Sequence, residues 1–237
     1  MKSTFVLIPG AWHGGWAWRP VARRLRVAGH QAVTLTMPGL ADGDDPTGLR
    51  LQDAVDRVVT EVERRDLAHV TLVAHSWGGY PMTGAAHRLV SRLSKVIYYN
   101  AYVPARGKST FDEFPTEQAK LVRKLVESSP TQVLDPSLQF VQLLLMQDEP
   151  EPAQRLLSEL LVPQPGKYGE DALDVPGVGT LGVPVAYVLS EDDRALGPPD
   201  AGAKFAARLG VEPIMVPGSH ESLLTHPDEV AQALLKA

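Results

Sequence analysis

The chain has 237 residues, of which 44% are hydrophobic and 22% charged, with a formal net charge of −5 and no cysteine. Such a composition is typical of a globular protein, and a chain of this length can form a single α/β domain. The acidic balance provides no basic surface for nucleic acid or anionic membrane, and the lack of cysteine excludes disulfides, thiolate metal sites and cysteine nucleophiles.

The beginning of the chain bears on its cellular location. It leads into an apolar, strand-like run within a few residues, without the charged and long apolar segments of a secretory signal. No apolar run reaches the length that a membrane-spanning helix needs. We therefore expect a soluble, cytoplasmic protein that does not bind membranes or nucleic acid.

Short strand-like runs alternate with helix-length segments. Continuous apolar runs predict strands at 4–8, 31–36, 70–74, 95–100, 183–189 and 211–216. Apolar residues at helical spacing predict helices at 18–27, 51–65, 79–93, 200–209 and 222–235. The repeated strand–helix–strand order predicts an α/β fold with a doubly wound, mostly parallel sheet flanked by helices.

The segment 104–182 interrupts this alternation. It has no convincing strand, is rich in proline, and contains helix-like stretches at 116–127, 136–146 and 152–161. An unstructured loop of that length is implausible inside a compact domain. We predict a small helical cap inserted into a core that is formed by residues 1–103 and 183–237.

The segment 70–79, VTLVAHSWGG, contains the most informative motif. A strand-like run ends in a small-x-Ser-x-Gly turn, and a helix-compatible segment follows. A sharp strand-to-helix turn of this kind presents a serine hydroxyl and needs small neighbours, here Ala74 and Gly78, with alanine in place of the more common glycine. The pattern predicts Ser76 as a nucleophile and the backbone N–H of Trp77 as a donor to a substrate oxyanion.

A serine nucleophile needs a base and a group that orients the base. The predicted strand 183–189 leads to the acidic residues 191–193, and the strand 211–216 leads to a tight turn that contains His220. Because the carboxyl ends of parallel strands meet at one edge of a sheet, both groups are expected near the serine. This order predicts His220 as the base and leaves three carboxylates as candidate acids.

These motifs resemble those of the α/β-hydrolase superfamily, in the branch that contains plant methyl esterases, hydroxynitrile lyases and related bacterial esterases. The matching segments are 6–16, 74–79, 187–196 and 218–220. The resemblance is good over both halves of the core and poor over the insertion. It implies that Asp193, which directly precedes Arg194, is the triad acid. It also implies that Ala11 supplies a second oxyanion N–H from the glycine-rich loop 10–15. Pro9, directly before this loop, stands where relatives commonly have histidine.

The resemblance and the site together predict a serine hydrolase that cleaves a small, fairly apolar carboxylic ester through an acyl-enzyme on Ser76. We expect no metal and no organic cofactor, because no Cys/His cluster has ligand spacing and no dinucleotide-binding glycine motif follows a strand. The oligomeric state is not predicted. The candidate residues for the substrate pocket are Gly10, Trp12, His13, Phe111 and Leu144.

Two other functions stay open. Hydroxynitrile lyases share the scaffold and cleave a C–C bond, but they carry a lysine after the catalytic histidine and a threonine in the first oxyanion loop. This chain has Glu221 and Gly10 there, and a carboxylate would repel departing cyanide. A ligand-sensing protein with little turnover is the second alternative. Among acyl transfers, the sequence does not separate esters from thioesters, lactones or amides.

Overall fold

The computed structural model describes residues 2–197 and 200–237. The predicted core also includes residues 1, 198 and 199, which lie outside the described residues. Strands and helices alternate through the first part of the chain: β1 (Thr4–Ile8), α1 (Arg19–Val27), β2 (Gln31–Thr34), α2 (Leu51–Arg64), β3 (Val70–Ser76), α3 (Gly79–Leu89) and β4 (Leu93–Ala101).

The segment after β4 is mainly helical. Its elements are α4 (Thr116–Ser128), β5 (Val133–Leu134), α5 (Leu138–Phe140), α6 (Glu151–Leu160), β6 (Gln164–Pro165) and α7 (Gly166–Glu170). The antiparallel pair of β5 and β6 was not predicted, because two residues per strand are too few to give an apolar pattern. The predicted helix 136–146 is regular only over α5, and a wider π-type turn, Val141–Leu145, follows it.

The final part returns to the sheet with β7 (Val185–Ser190), α8 (Ala201–Leu209), β8 (Ile214–Val216), α9 (Ser222–Thr225) and α10 (Pro227–Lys236). The predicted helix 222–235 is therefore two helices that are separated at His226. Pro227 is the first residue of α10, where its missing N–H costs no helical hydrogen bond. The same residue could not have continued α9 without breaking its hydrogen bonds.

The main sheet has six strands in the order β2-β1-β3-β4-β7-β8, and every neighbouring pair is parallel. This arrangement confirms the predicted fold class. The carboxyl ends of β1, β3, β7 and β8 lie at one edge, so the loops that follow them are brought together. Among the described residues, no helix is both long and apolar enough to cross a bilayer.

Both faces of the sheet are covered, which explains why the strands are continuous apolar runs. In β1, Val6 and Ile8 pack into a cluster with α2 and α3, whereas Phe5 and Leu7 pack into a second cluster with α1 and α10. All four side chains are almost fully buried. A sheet fixed on both faces holds the ends of its strands in place, and this is the rigid base for the loops described next.

Candidate active site

Ser76 is the last residue of β3 and has a left-handed backbone with φ 54°. A non-glycine residue held in this region stores strain, on the order of 1–3 kcal/mol. The turn is also tightly packed. A Cβ atom on Gly78 would lie 2.4 Å from the Pro9 carbonyl oxygen, and one on Gly79 would lie 2.0 Å from that of Tyr102. Only glycine fits at these two positions, so the turn can pass directly into α3.

His220 and Asp193 come from the loops after β8 and β7. The Nδ1 atom of His220 lies 2.8 Å from Oδ2 of Asp193, and both side chains are buried. Burial alone lowers the pKa of His220, but the charge of Asp193 and its hydrogen bond to the ring outweigh burial and raise that pKa above its usual value. Glu191 and Asp192 are exposed. Of the three candidate carboxylates, the structure thus places Asp193 against the histidine.

Ser76 and His220 line the same cavity, which has a volume of about 410 Å³. Much of its wall is aromatic, with side chains of Trp12, Trp77, Tyr102, Phe111, Phe114 and Phe140. Among the described residues, the hydrogen bonds of His220 go to Asp193, His75 and Asn100, and none joins its ring to the Ser76 hydroxyl. Catalytic hydrogen bonds often tighten only when substrate binds.

The cavity includes part of the predicted pocket. Trp12 and Phe111 line it, whereas Gly10, His13 and Leu144 do not. Gly10 instead packs against Ser76, because a Cβ there would lie 2.9 Å from the Cβ of Ser76. Leu145 lines the cavity in place of Leu144, since the π-type turn changes which side chains face inward.

The two predicted oxyanion donors, Ala11 and Trp77, also line this cavity. Among the described residues, neither backbone N–H is bonded to a protein acceptor. The Trp77 side chain is fixed, because its indole N–H donates to the Tyr168 carbonyl at 2.8 Å and its ring stacks on that of Tyr168. Ala11 and Trp77 thus line the same cavity as Ser76, and the backbone N–H of each has no protein acceptor among the described residues.

His75 supports the loop that carries His220 and does not line the cavity. It is fully buried, and its Nε2 atom lies 3.1 Å from the carbonyl oxygen of His220, which also accepts a hydrogen bond from the Asn100 side chain at 3.1 Å. Burial lowers the pKa of His75 well below the usual value, and the nearby His220 and His13 lower it further. His75 is thus neutral, and with Asn100 it fixes the backbone that carries His220.

Sequence reasoning missed Asn100. Asn100 lies near the carboxyl end of β4 and has a left-handed backbone with φ 43°. Its side-chain oxygen accepts a hydrogen bond from the Ser190 backbone N–H at 2.7 Å. A polar residue at the end of an otherwise apolar strand was the available signal.

A possible metal-ligand group lies at the same place. His75, His220 and Glu221 have donor atoms within 4.8 Å of one another. However, the His220 Nδ1 is engaged by Asp193, and the His75 Nε2 is engaged by a carbonyl oxygen. These two contacts fix the orientation of both rings.

Comparison with known proteins identifies the family. Residues 5–233 match the model of the alpha/beta hydrolase family. The chain belongs to the α/β-hydrolase family. A carbendazim-hydrolysing esterase of Nocardioides sp. is 37% identical over 115 residues, which is 48% of each chain. Methylesterase 18 of Arabidopsis thaliana is 26% identical over 253 aligned positions, covering 98% of this chain and 96% of that protein. These relatives confirm the resemblance to the branch with plant methyl esterases and bacterial esterases.

A solved α/β-hydrolase has nearly the same fold. It is an extracellular protein of a Paenibacillus species, described as sharing structural and functional homology with tobacco salicylic acid binding protein 2. Its TM-score is 0.94 at 24% identity, and the match covers 100% of this chain and 99% of that one. At this identity the likeness establishes the fold alone. The chain matches the Nocardioides esterase over about half of that protein's length. The activity of the chain therefore has to be argued from its own site.

Proposed function

We propose that this α/β-hydrolase is a serine esterase that cleaves a small, fairly apolar carboxylic ester through an acyl-enzyme on Ser76. One observation carries the proposal most: a strained serine and an aspartate-paired histidine, on separate loops, line one largely aromatic cavity. The names of the Nocardioides and Arabidopsis relatives, an esterase and a methylesterase, agree with it.

The mechanism assigns a role to each group. Because Asp193 accepts the Nδ1 proton of His220, the Nε2 atom is left as the base that takes the Ser76 proton. The serine oxygen then attacks the ester carbonyl, and the N–H groups of Ala11 and Trp77 stabilise the oxyanion. His220 next protonates the leaving alcohol. Water repeats the same steps on the acyl-enzyme and releases the acid.

The cavity supports the choice of substrate. A volume of about 410 Å³ lies in the lower part of the range of small-molecule sites, and aromatic walls favour apolar groups. We propose that residues 104–182 act as a cap on the core formed by 1–103 and 183–237, because α4 and α5 supply Leu121, Leu125 and Phe140 to the cavity wall. The cytoplasmic location stays a prediction, and fractionation of the producing cells checks it.

Ester turnover with a nucleophile control tests the proposal. The purified protein is assayed with p-nitrophenyl acetate and butyrate, and labelling by a fluorophosphonate is mapped by mass spectrometry. We expect turnover and a label on Ser76, and we expect Ser76→Ala to lose both. Turnover that survives in Ser76→Ala would contradict the assignment.

The same preparation separates the alternatives. Cyanide release from mandelonitrile would support the lyase. Labelling of Ser76 without turnover of any ester, thioester or lactone in a panel would support a ligand-sensing role.

A further inference from the structure

Glu221 is an unusual residue in this fold. It follows the proposed catalytic histidine, is fully buried, and among the described residues neither carboxylate oxygen has a hydrogen-bond partner. An ionised carboxylate in such a place is costly unless something pairs with it. The ring of His13 is close, with its Nε2 atom 3.5 Å from Oε2 of Glu221, and this Nε2 atom is also buried without a hydrogen bond to a described residue.

His13 holds the proposed oxyanion loop at two points. Its Nδ1 atom lies 2.6 Å from the carbonyl oxygen of Ala11, and its backbone N–H reaches the carbonyl oxygen of Gly10 at 3.4 Å. The first contact requires a proton on Nδ1, because a carbonyl oxygen only accepts. The Ala11 N–H lies between the two held carbonyls, and its direction is fixed by them.

The protonation of the pair follows from these contacts. With Nδ1 protonated, the shared proton lies either on a neutral Glu221 that faces Nε2 of His13 or on Nε2 itself beside an ionised Glu221. Both forms contain one shared proton and have zero net charge, so both are compatible with complete burial. An ionised Glu221 beside a neutral His13 would leave an isolated charge in the interior.

We propose that Glu221 and His13 form a proton-sharing clamp that holds the Ala11 N–H in place for the oxyanion. Both are positioning residues, and the inference rests on the proposed esterase function. The loop needs such a clamp because its next residue, Trp12, has an unfavourable φ of 65°. The Trp12 N–H is held from the other side by the Gln164 side chain at 3.2 Å.

The charge of Glu221 could instead act directly on His220. The two roles predict different results for two near-isosteric variants. In Glu221→Gln the amide N–H still donates to Nε2 of a neutral His13, so the clamp survives although the charge is lost. In Glu221→Met both the polar contact with His13 and the charge are lost.

The experiment compares kcat and KM for p-nitrophenyl butyrate in Glu221→Gln, Glu221→Met, His13→Leu and the double variant His13→Leu/Glu221→Met. We expect Glu221→Gln to keep most of the activity. We expect Glu221→Met and His13→Leu each to lower kcat by about 10- to 100-fold with little change in KM, since the loss of an oxyanion donor acts on the transition state. The double variant should be no worse than either single variant, because both break one unit.

Some results would overturn the clamp. A loss in Glu221→Gln as large as that in Glu221→Met would mean that the charge of Glu221 matters and its polar contact with His13 does not. Multiplicative losses in the double variant would mean that the residues act separately. Thermal unfolding checks each variant, and the double variant is expected to fold because apolar residues commonly replace a buried polar pair without loss of stability. Its kcat decides the question if a single variant does not fold.

The clamp and the esterase can fail separately. If the wild-type protein neither labels with fluorophosphonate nor turns over esters, the proposed function is wrong. If the wild-type protein is active and the variants do not follow the expected order, only the clamp is wrong.

Discussion

At residue 76 the backbone and the side chain have conflicting preferences. The left-handed conformation suits glycine, yet the proposed chemistry needs a hydroxyl there. The conflict predicts an inverted order of stability among variants. We expect Ser76→Gly to be more stable than Ser76→Ala by about 1 kcal/mol, although glycine is usually the less stable of the two.

Thermal or urea unfolding of both variants measures this difference. The matched control is Ser94 in β4, outside the positive-φ residues, where the alanine variant should be the more stable one. If Ser76→Ala is as stable as Ser76→Gly, the turn is not strained at this residue.

The paired histidine predicts a pH dependence. In the proposed mechanism His220 acts as a base only when it is neutral, and its pKa is raised by Asp193 in spite of burial. The acidic limb of kcat/KM for an ester should therefore lie above pH 6.5, which is the usual pKa of a free histidine. In Asp193→Asn the limb should move to lower pH, and kcat should fall by about 10³- to 10⁴-fold.

Asp192→Asn is the control, since the Asp192 side chain is exposed and should leave the profile unchanged. A limb that stays in place in Asp193→Asn would show that another group titrates.

Single residues differ in how far the sequence could predict them. Ser76 and His220 followed from a turn motif and from chain order, because both depend on local strand endings. Asp193 could not be separated from its two acidic neighbours without the family resemblance, since all three follow the same strand. Glu221 gave no such signal and Asn100 only that of a polar residue at the end of an apolar strand, because their partners lie far away in the chain and only the fold brings them together.

In α2 the buried carboxylate of Glu61 binds arginines that lie three or four residues away in the chain. Glu61 is almost fully buried, and its oxygens accept hydrogen bonds from Arg57, Arg64 and Arg65. Burial alone raises the pKa of Glu61, but the arginines outweigh it and lower that pKa. The pairing therefore stabilises the folded state above the unfolded pKa and is lost as the pH falls through the lower, folded-state value.

We expect Glu61→Gln to lower the free energy of unfolding at neutral pH by about 1–2 kcal/mol, a modest value because the arginines are partly exposed. The difference in free energy of unfolding between Glu61→Gln and the wild type should narrow as the pH falls below about 4.5. Urea denaturation at several pH values measures it. Glu63→Gln, on the exposed side of the same helix, should show neither effect, and a constant gap for Glu61→Gln would refute the charge-based explanation.

Elements were predictable where the apolar pattern was long. Strands β1 and β3 gave uninterrupted runs because the sheet is covered on both faces, and their positions matched closely. The prediction for the end of the chain was less accurate, because Pro227 divides one apolar pattern into two helices. In the insertion, the π-type turn at Val141–Leu145 shifts the inward-facing positions, which no regular helical spacing can predict.

At the scale of the whole molecule, the ends of the sheet strands carry the proposed catalytic residues, and residues from the segment 104–182 form much of the cavity wall. Helix α4 illustrates the second role, because Leu121 lines the cavity while 58% of its surface is still exposed to solvent. Because it is exposed and also lines the cavity, Leu121 lies at the entrance to the cavity and contributes little to the hydrophobic core. It can be enlarged without overpacking the interior.

We therefore expect Leu121→Trp to narrow the entrance and to lower kcat/KM for p-nitrophenyl octanoate by about tenfold or more relative to acetate, since a larger ring blocks long acyl chains but not short ones. Leu156→Trp is a close control, because Leu156 is also 58% exposed, lies on α6 and does not line the cavity. Its octanoate-to-acetate ratio should equal that of the wild type. An equal drop in both variants would point to a general effect of surface tryptophan, and no drop in Leu121→Trp would mean that acyl chains bind along another wall of the cavity.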